Sequence, residues 1–529
     1  MRARSLKPIT AECPSVSQQE YHNELIQRIL DGSIADKDDL QRAKIELCRK
    51  HRLSALPPNS ETLSRVDHAD LAAVSTILQR KPVRTLSGVA VVAVMTSPAP
   101  CPHGKCIFCP GGIENGSPQS YTGKEPAARR GASYRFDPYE QVKGRLEQLK
   151  SIGHGTDKVD LIVMGGTFTS RPIEYQETFV KRCFDAFNDQ ESTSLEEAQL
   201  LNETASHRCI GMTIETRPDA MTEEQCTASM RMGMTRVEMG VQVLDDDILR
   251  KVNRGHGLQA VIDASRTAKR HGLKICYHMM PGLPGSSPDR DLESFERMFE
   301  DPSFRPDMLK IYPTLVVKGT QLYDMWSRGE YSPYTTADAV EVIARMKELV
   351  PPYVRIQRIQ RDIPVPLIEA GVDKGHLREL VKQRMSDDGK TCHCIRCREV
   401  GLMGITHYDD DAVRPNQLTY EASGGWEHFL SFDLPEKEAL IGYVRLRTGD
   451  GPIAGIRELK VFGKLVPLDQ RGDGWQHRGY GRELVARAEE RAREEGYSAI
   501  RVTSGVGVRR YYASLGYERD GMYMVKQLR

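Results

Sequence analysis

Two short stretches of the chain carry thiols at metal-ligand spacing. Cys101, Cys106 and Cys109 follow at x4 and x2 within SPAPCPHGKCIFCPGG, and Cys392, Cys394 and Cys397 follow at x and x2 within TCHCIRCREVG. Thiolates are the usual ligands of iron–sulfur clusters, which take four, so three on one loop leave one iron of a [4Fe–4S] cluster open to a small molecule. A zinc knuckle short of one ligand is the other reading of that loop. The second group has spacing fit for zinc, which takes four tetrahedral ligands; His393 or the distant His376 is the candidate fourth, and a second iron–sulfur cluster is the alternative. The other six of the 12 cysteines stand singly, as small core residues do. Clustered thiols in a large chain point to metal or redox chemistry rather than to a disulfide framework.

A third chemistry is written at Gln476-His477-Arg478-Gly479-Tyr480-Gly481, at the start of a helical stretch. Glycines there permit a tight turn and bring backbone N–H groups to an anion. The helix N-terminus adds partial positive charge, which suits a pyrophosphate. A glycine pair before a helix is by itself only a turn. What raises it is the strand AIRVTS that follows and then the helix carrying Tyr511, Tyr512 and Tyr517.

These residues need elements to position them. Residues 1–80 read as helical and partly basic, with Leu and Ile at helical spacing in YHNELIQRILDG and DDLQRAKIELCRKHRL. Arg42, Lys44, Arg49, Lys50 and Arg52 load the second segment with positive charge. From about 86 to 313, β-rich runs at 88–96, 158–164, 209–215, 235–242, 273–280 and 307–314 alternate with helical segments, which implies a parallel sheet. Six such units predict a partial (β/α)6 barrel. The unusual residues stand just after the strands: SPAPCPHGKCIFCPGG, GGTFTS, TRPD, GVQ, PGLPG and YPT. The carboxyl ends of barrel strands carry active sites. Beyond a connector with the second thiol group, three antiparallel-looking strands, a long helix capped by Gly496 and further strands predict a separate α/β domain. The expected domains are 1–80, 81–345, 346–400 and 401–529.

In combination, CPHGKCIFCPGG, GGTFTS, ETRPD, NRGH, HMMPGLPG and LKIYPT resemble the radical S-adenosylmethionine superfamily, and more closely the Elongator catalytic subunit family in its stand-alone archaeal and bacterial form. The resemblance covers nearly the whole chain. One departure is the x4 first spacer, where the superfamily most often has x3; this family varies there. The resemblance implies an α/β fold with a TIM-like radical barrel, a zinc-binding connector and a GNAT domain. It implies a [4Fe–4S] cluster on Cys101, Cys106 and Cys109 whose open iron chelates S-adenosylmethionine. Gly165 and Gly166 would let backbone approach the methionine amino group. Glu215 and Arg217 would contact ribose or carboxylate, or form a barrel-mouth ion pair. Gln242 would border the adenosine. Lys310 and Tyr312 would face the same mouth in the expected register.

The carboxyl-terminal order is similar to the GNAT acetyltransferases, whose Q-x-x-G-x-G loop holds the coenzyme A pyrophosphate. That assigns Gln476, His477, Arg478, Gly479, Tyr480 and Gly481 to acetyl-CoA. Tyr511 or Tyr512 would contact the thioester or protonate the leaving thiolate, at least one of the two being core. Arg355, Arg358 and Arg361 form a basic stripe suited to an RNA path. The function implied is modification of wobble uridine in the transfer RNA anticodon stem-loop to 5-carboxymethyluridine, with zinc, acetyl-CoA and an electron donor as further requirements. A deoxyadenosyl radical would take hydrogen from the acetyl methyl, and the carbon radical would add to ring carbon 5. Two rival readings stand beside it: a protein lysine acetyltransferase scaffolded by the barrel, and an RNA-binding scaffold without catalysis.

Composition constrains the partners. With 74 Lys and Arg against 73 Asp and Glu, the net charge is +1, so attraction to RNA must come from local patches. No apolar run approaches the roughly 18 residues of a membrane span, and MRARSLKPIT lacks the apolar core of a signal peptide; a cytoplasmic enzyme is expected. Phosphate neutralisation releases counterions, so transfer RNA affinity falls steeply with salt. Charge reversal at Arg49 and Arg52 is expected to weaken binding broadly and flatten that slope, while acetyl-CoA affinity stays unchanged. A titration of affinity against salt checks both.

Overall fold

The computed structural model describes residues 16–67, 70–79, 88–405, 407–463 and 479–528. They fall into two compact units, Met1–Arg84 with Leu146–Thr156, and Thr85–Arg145 with Asp157–Arg529. Among the described residues no helix is long and apolar enough to cross a membrane.

The first unit is helical: Val16–Leu30, Lys37–Lys50, Asn59–Leu63 and Leu71–Leu78. Apolar residues at helical spacing converge on one core that includes Tyr21, Leu25, Ile29, Leu40 and Leu47. Asp36 caps the second helix by accepting from the N–H groups of Asp38 and Asp39. Much of the basic run is answered locally. Lys44 is buried and donates to Asn59 Oδ1 at 2.7 Å, Lys50 pairs with Glu24, and Arg42 pairs with Asp39. Arg49 and Arg52 stand exposed outside these pairs.

The second unit holds β1 (Ala90–Met95), β2 (Lys158–Met164), β3 (Arg208–Thr216), β4 (Arg236–Gln242), β5 (Lys274–Met279), β6 (Met308–Ile311), β7 (Val316–Val317), β8 (Arg355–Ile359) and β9 (Ile368–Ala370). Seven make one parallel sheet, ordered β1-β2-β3-β4-β5-β6-β8, and β7 pairs with β9 alone. The six strands expected from the sequence are joined by β8, which falls in the segment read as a connector. Ile356 and Ile359 are buried, and because the register with β6 skips Gln357, Arg355 lies opposite Met308 and Arg358 opposite Lys310. The arginines made a strand look like a surface stripe. Helices return between strands, and Thr222, Ser287 and Thr335 cap three of them by accepting from N3 amides.

A second seven-stranded sheet follows: β10 (Arg414–Ala422), β11 (Gly425–Leu434), β12 (Ala439–Thr448), β13 (Ala454–Val461), β14 (Ala499–Val502), β15 (Glu518–Asp520) and β16 (Tyr523–Gln527), in the order β10-β11-β12-β13-β14-β16-β15. Helix Tyr480–Glu494 covers it and ends before Gly496, at φ +85°. Strands β13 and β14 run parallel for three pairs only, Ala454 with Ile500 to Ile456 with Val502. Beyond Ile456, β13 continues to Val461 without that neighbour, so the sheet splays there.

The two sheets are joined by buried charge. Arg457 of β13 donates to both oxygens of Asp307, at 2.5 and 2.9 Å, to Glu427 at 2.9 Å and to the Leu273 carbonyl at 2.8 Å. Asp307 and Leu273 immediately precede β6 and β5. Arg445 donates to the Tyr353 carbonyl at 2.7 Å and to Glu458 at 3.0 Å. The flanking guanidinium groups hold the Asp307 carboxyl far below the usual carboxylate range, against the desolvation that raises it. Removing one partner of a buried pair leaves an uncompensated charge. Asp307→Ala should therefore destabilise the second unit by about 3–5 kcal/mol, and adding Arg457→Met should cost less than the sum of the singles; urea unfolding of the three variants measures this.

Candidate functional site

The cysteine loop follows β1. Cys106 and Cys109 are buried and Cys101 is half-buried. Four zinc-bound sulfurs at about 2.3 Å from one ion would lie about 3.8 Å apart. The three Cys392-group sulfurs do lie within 4.8 Å of one another, whereas Cys101, Cys106 and Cys109 are not among the groups gathered so closely. The wider trio suits a multi-iron cluster and the tighter trio a single ion. Neither His393 nor His376 belongs to the tight group. Hydrogen bonds from Cys392 and Cys397 hold the Cys394 thiol well below its usual range.

A cavity of about 140 Å³ opens beside the first trio, lined among others by Cys101, Cys106, Gly166, Glu215, Gln242 and Lys310. Strand order and register bring these groups to one mouth. Gly165 and Gly166 follow β2 at φ +147° and +87°. A Cβ on Gly165 would collide with Thr96 Oγ1, and one on Gly166 would lie 2.8 Å from the Gln119 carbonyl oxygen, so only glycine fits this cradle. Gln242 ends β4 in the left-handed region at φ +77°, a conformation costly for a non-glycine residue and common where geometry serves a site.

Glu215 accepts from the Tyr121 hydroxyl at 2.5 Å. Arg217 is 2% exposed and grips Asp219 through two bonds of 2.9 and 2.8 Å, its third contact being His103 Nε2 at 3.1 Å. Arg217 thus pairs with Asp219, and Glu215 with Tyr121, in place of the Glu215–Arg217 ion pair that was one of the two expectations. Lys310 and Tyr312 do line the cavity. Lys310 pairs with the fully buried Glu238, which also meets His278 Nε2 at 2.9 Å. The nearby Glu238 carboxylate raises the Lys310 ammonium above its ordinary range against desolvation, so it stays cationic. Tyr312 lies edge-on to His278, with centroids 5.5 Å apart. Arg358 and Arg361 also line the cavity, whereas Arg355 pairs with Glu399 at 2.8 Å.

Tyr121, Glu238 and His278 were not singled out by spacing. His278 lies inside the HMMPGLPG motif, and the β4 run RVEMGVQ places Glu238 two residues from Gly240; Tyr121 has no such signal.

The other site forms at the splay of β13 and β14. Gly479, at φ +92°, begins helix Tyr480–Glu494. A Cβ on Gly481 would lie 3.1 Å from the Tyr511 hydroxyl and 3.8 Å from Val461. Tyr511 is 38% exposed, whereas Tyr512 is buried edge-on between Tyr511 and Tyr517. Tyr480 reaches the Tyr408 hydroxyl at 3.2 Å. Gln476, His477 and Arg478 lie outside the described residues.

Four family models match the chain: the ELP3 N-terminal domain over residues 18–86, the radical SAM superfamily over 98–298, the radical SAM C-terminal domain over 306–387 and the acetyltransferase (GNAT) family over 403–517. A Methanocaldococcus infernus protein named tRNA uridine(34) acetyltransferase is 50% identical, over 95% of this chain and 98% of its own length. Elongator complex protein 3 of Homo sapiens is 43% identical, over 96% of each. The solved structure of archaeal Methanocaldococcus infernus Elp3 with an N-terminal deletion superposes with a TM-score of 0.75 at 47% identity, covering 84% of this chain and all of that one.

The radical SAM match implies the [4Fe–4S] cluster and S-adenosylmethionine, and the GNAT match implies acetyl-CoA. The wide thiol trio and the glycine cradle suit the first two groups, and the glycine notch at the start of helix Tyr480–Glu494, with the Tyr511 hydroxyl beside Gly481, suits the third. Cys106→Ala should abolish iron–sulfur loading after anaerobic reconstitution while leaving any single metal ion on the Cys392 group unchanged, and Cys394→Ser should do the reverse. Metal analysis of both variants checks the division.

Proposed function

The chain belongs to the family of the archaeal tRNA uridine(34) acetyltransferases and Elongator complex protein 3, and from that premise we propose that it is a transfer RNA-modifying acyltransferase that builds 5-carboxymethyluridine at the wobble position. What carries the reading is the presence, in one compact unit, of both the thiol-lined cavity at the barrel mouth and the glycine notch at the splayed sheet. A lysine acetyltransferase needs only the notch, and a scaffold needs neither. When bound, the cluster and S-adenosylmethionine supply a 5′-deoxyadenosyl radical, and coenzyme A supplies an activated acetyl group.

The chain's own groups bind, orient and move protons. Gly165 and Gly166 admit the methionine moiety, with Gln242 beside the adenosine. Glu215, aligned by Tyr121, accepts from a ribose hydroxyl. Lys310, kept cationic by Glu238, presents fixed positive charge to a carbonyl or carboxylate in the cavity. Gly479, Tyr480 and Gly481 take the pyrophosphate at the helix start, together with Gln476, His477 and Arg478. A tyrosine hydroxyl, with its reference pKa near 10, donates rather than accepts a proton at neutral pH, and burial raises that of Tyr511 further. Tyr511 rather than Tyr512 is the donor to the departing thiolate, since its hydroxyl lies at Gly481. Zinc on Cys392, Cys394 and Cys397 holds the link between β8 and β12, where Ile395 N–H already donates to the Val354 carbonyl at 2.9 Å and Glu399 bridges Leu440. Arg49 and Arg52 serve RNA, as do Arg358 and Arg361 at the mouth; an external electron donor completes the set, and the enzyme works in the cytoplasm.

An acetyl group used only on RNA is best shielded until RNA docks. Thioester cleavage by the wild-type protein should therefore be stimulated by transfer RNA. Gly481→Leu should stop cleavage and leave iron content intact. Tyr511→Phe should lower stimulated cleavage by about 100-fold at unchanged melting temperature, and Tyr512→Phe should leave it within about twofold. Equal cleavage with and without RNA would contradict the coupling.

A further inference from the structure

Each of the three cluster cysteines has a hydrogen-bond donor from a different segment of the chain. Cys101 Sγ lies 3.4 Å from Thr167 Oγ1, just past the glycine cradle of β2. Cys109 Sγ accepts from Gln119 Nε2 at 3.1 Å. Cys106 Sγ accepts from Arg254 Nη1 at 3.5 Å, and His103 Nε2 lies 3.3 Å from it. An iron-bound sulfur carries no proton, so Thr167 must donate. Arginine has no acceptor, so the Arg217 contact makes His103 Nε2 an acceptor and leaves Arg254 as the donor to Cys106.

Arg254 belongs to the NRGH motif, to which no role has yet fallen. Its segment holds the thiol loop at several points. Ile107 N–H donates to the Val252 carbonyl at 3.2 Å, and Asn253 Nδ2 donates to the Lys105 carbonyl at 2.8 Å. Gly255, at φ +78°, lets His103 pack where a Cβ would lie 2.6 Å from the His103 Cβ. Arg254 itself is 6% exposed. Its other donors go to the Gly240 carbonyl, at 3.2 and 2.5 Å, and among the described residues it has no ion pair. The neighbouring Asp219 is already held by Arg217. A buried guanidinium without a carboxylate is costly, unless the negative charge it answers is that of the cluster.

We infer that Thr167, Gln119 and Arg254 are positioning residues that set the reduction potential of the cluster, each by donating to one ligand sulfur. The inference rests on the cluster assignment and not on the RNA substrate. Reduction takes one electron from an external one-electron donor, breaks no bond and adds negative charge shared with the sulfurs. Donors and a fixed cation stabilise the reduced form more than the oxidised one and so raise the potential. Losing them drives the potential more negative and demands a stronger reductant. Arg254 contributes most, because it brings a full charge into a dry site.

The test uses full-length protein reconstituted anaerobically, as wild type and as Thr167→Val, Gln119→Met, Arg254→Met and Arg254→Lys. Iron and sulfide per chain are measured first, then the midpoint potential by mediated dithionite titration followed by electron paramagnetic resonance. Full iron loading is expected throughout, with midpoints displaced to more negative values in the three neutral variants. For Arg254→Met the reduction equilibrium should shift at least tenfold, about 59 mV for one electron, and Arg254→Lys should recover part of it. Full loading with unmoved midpoints would overturn the inference. So would loss of iron from the variants alone, which would assign these residues to holding the loop. A wild-type protein that takes up no cluster would remove the cluster assignment and the inference together.

Discussion

Buried charge between the two sheets is the constraint on which the arrangement of the second unit rests. Arg457 and Arg445 are almost wholly inaccessible, and each carries a charge that the interior tolerates only when it is matched. Their acceptors are Asp307, the carbonyls of Leu273 and Tyr353, and the carboxylates Glu427 and Glu458. Asp307, Leu273 and Tyr353 lie at the amino ends of β6, β5 and β8. The sheet that carries the glycine notch is thus fastened to the amino ends of the barrel strands, and the carboxyl ends are left for the thiol loop and the cavity. The matching is directional as well as electrostatic. Arg457 meets Asp307 through two parallel bonds, a geometry that lysine cannot reproduce.

The same logic governs the cavity. The Glu238 carboxylate raises the Lys310 ammonium against desolvation, and Lys310, His278 and Arg236 surround the fully buried Glu238. Arg217 is neutralised by Asp219 before any ligand arrives. The mouth is therefore preorganised: its charges are already paired or aimed, and a ligand meets fixed dipoles rather than side chains that must be ordered on binding.

Local features of this design are legible in the sequence, and long-range ones are not. The strand runs, the thiol spacing and the glycines after β2 and before the long helix are local patterns, and the structure forms elements where those patterns stand. The strand β8 was hidden because RIQRI repeats arginine and isoleucine at every third residue, a spacing that a strand meets only through the register shift at Gln357, and the partner of Arg355 is Glu399, 44 residues onward. Pairings such as Tyr121 with Glu215 and Arg254 with Cys106 join segments separated by 94 and 148 residues, and neither member reveals the other by spacing. Two adjacent tyrosines, 511 and 512, look alike in sequence. Only packing separates the half-open hydroxyl at Gly481 from the ring buried against Tyr517.

The central claim is that both sites of the second unit act on one acetyl group. The most direct measurement is to supply reconstituted enzyme, under reducing anaerobic conditions, with unmodified transfer RNA, S-adenosylmethionine and acetyl-CoA trideuterated at the methyl group. Mass spectrometry of the 5′-deoxyadenosine formed then reports where its new hydrogen came from. One deuterium per molecule, dependent on the RNA, is the predicted result. RNA-dependent 5′-deoxyadenosine that carries no deuterium would contradict the account.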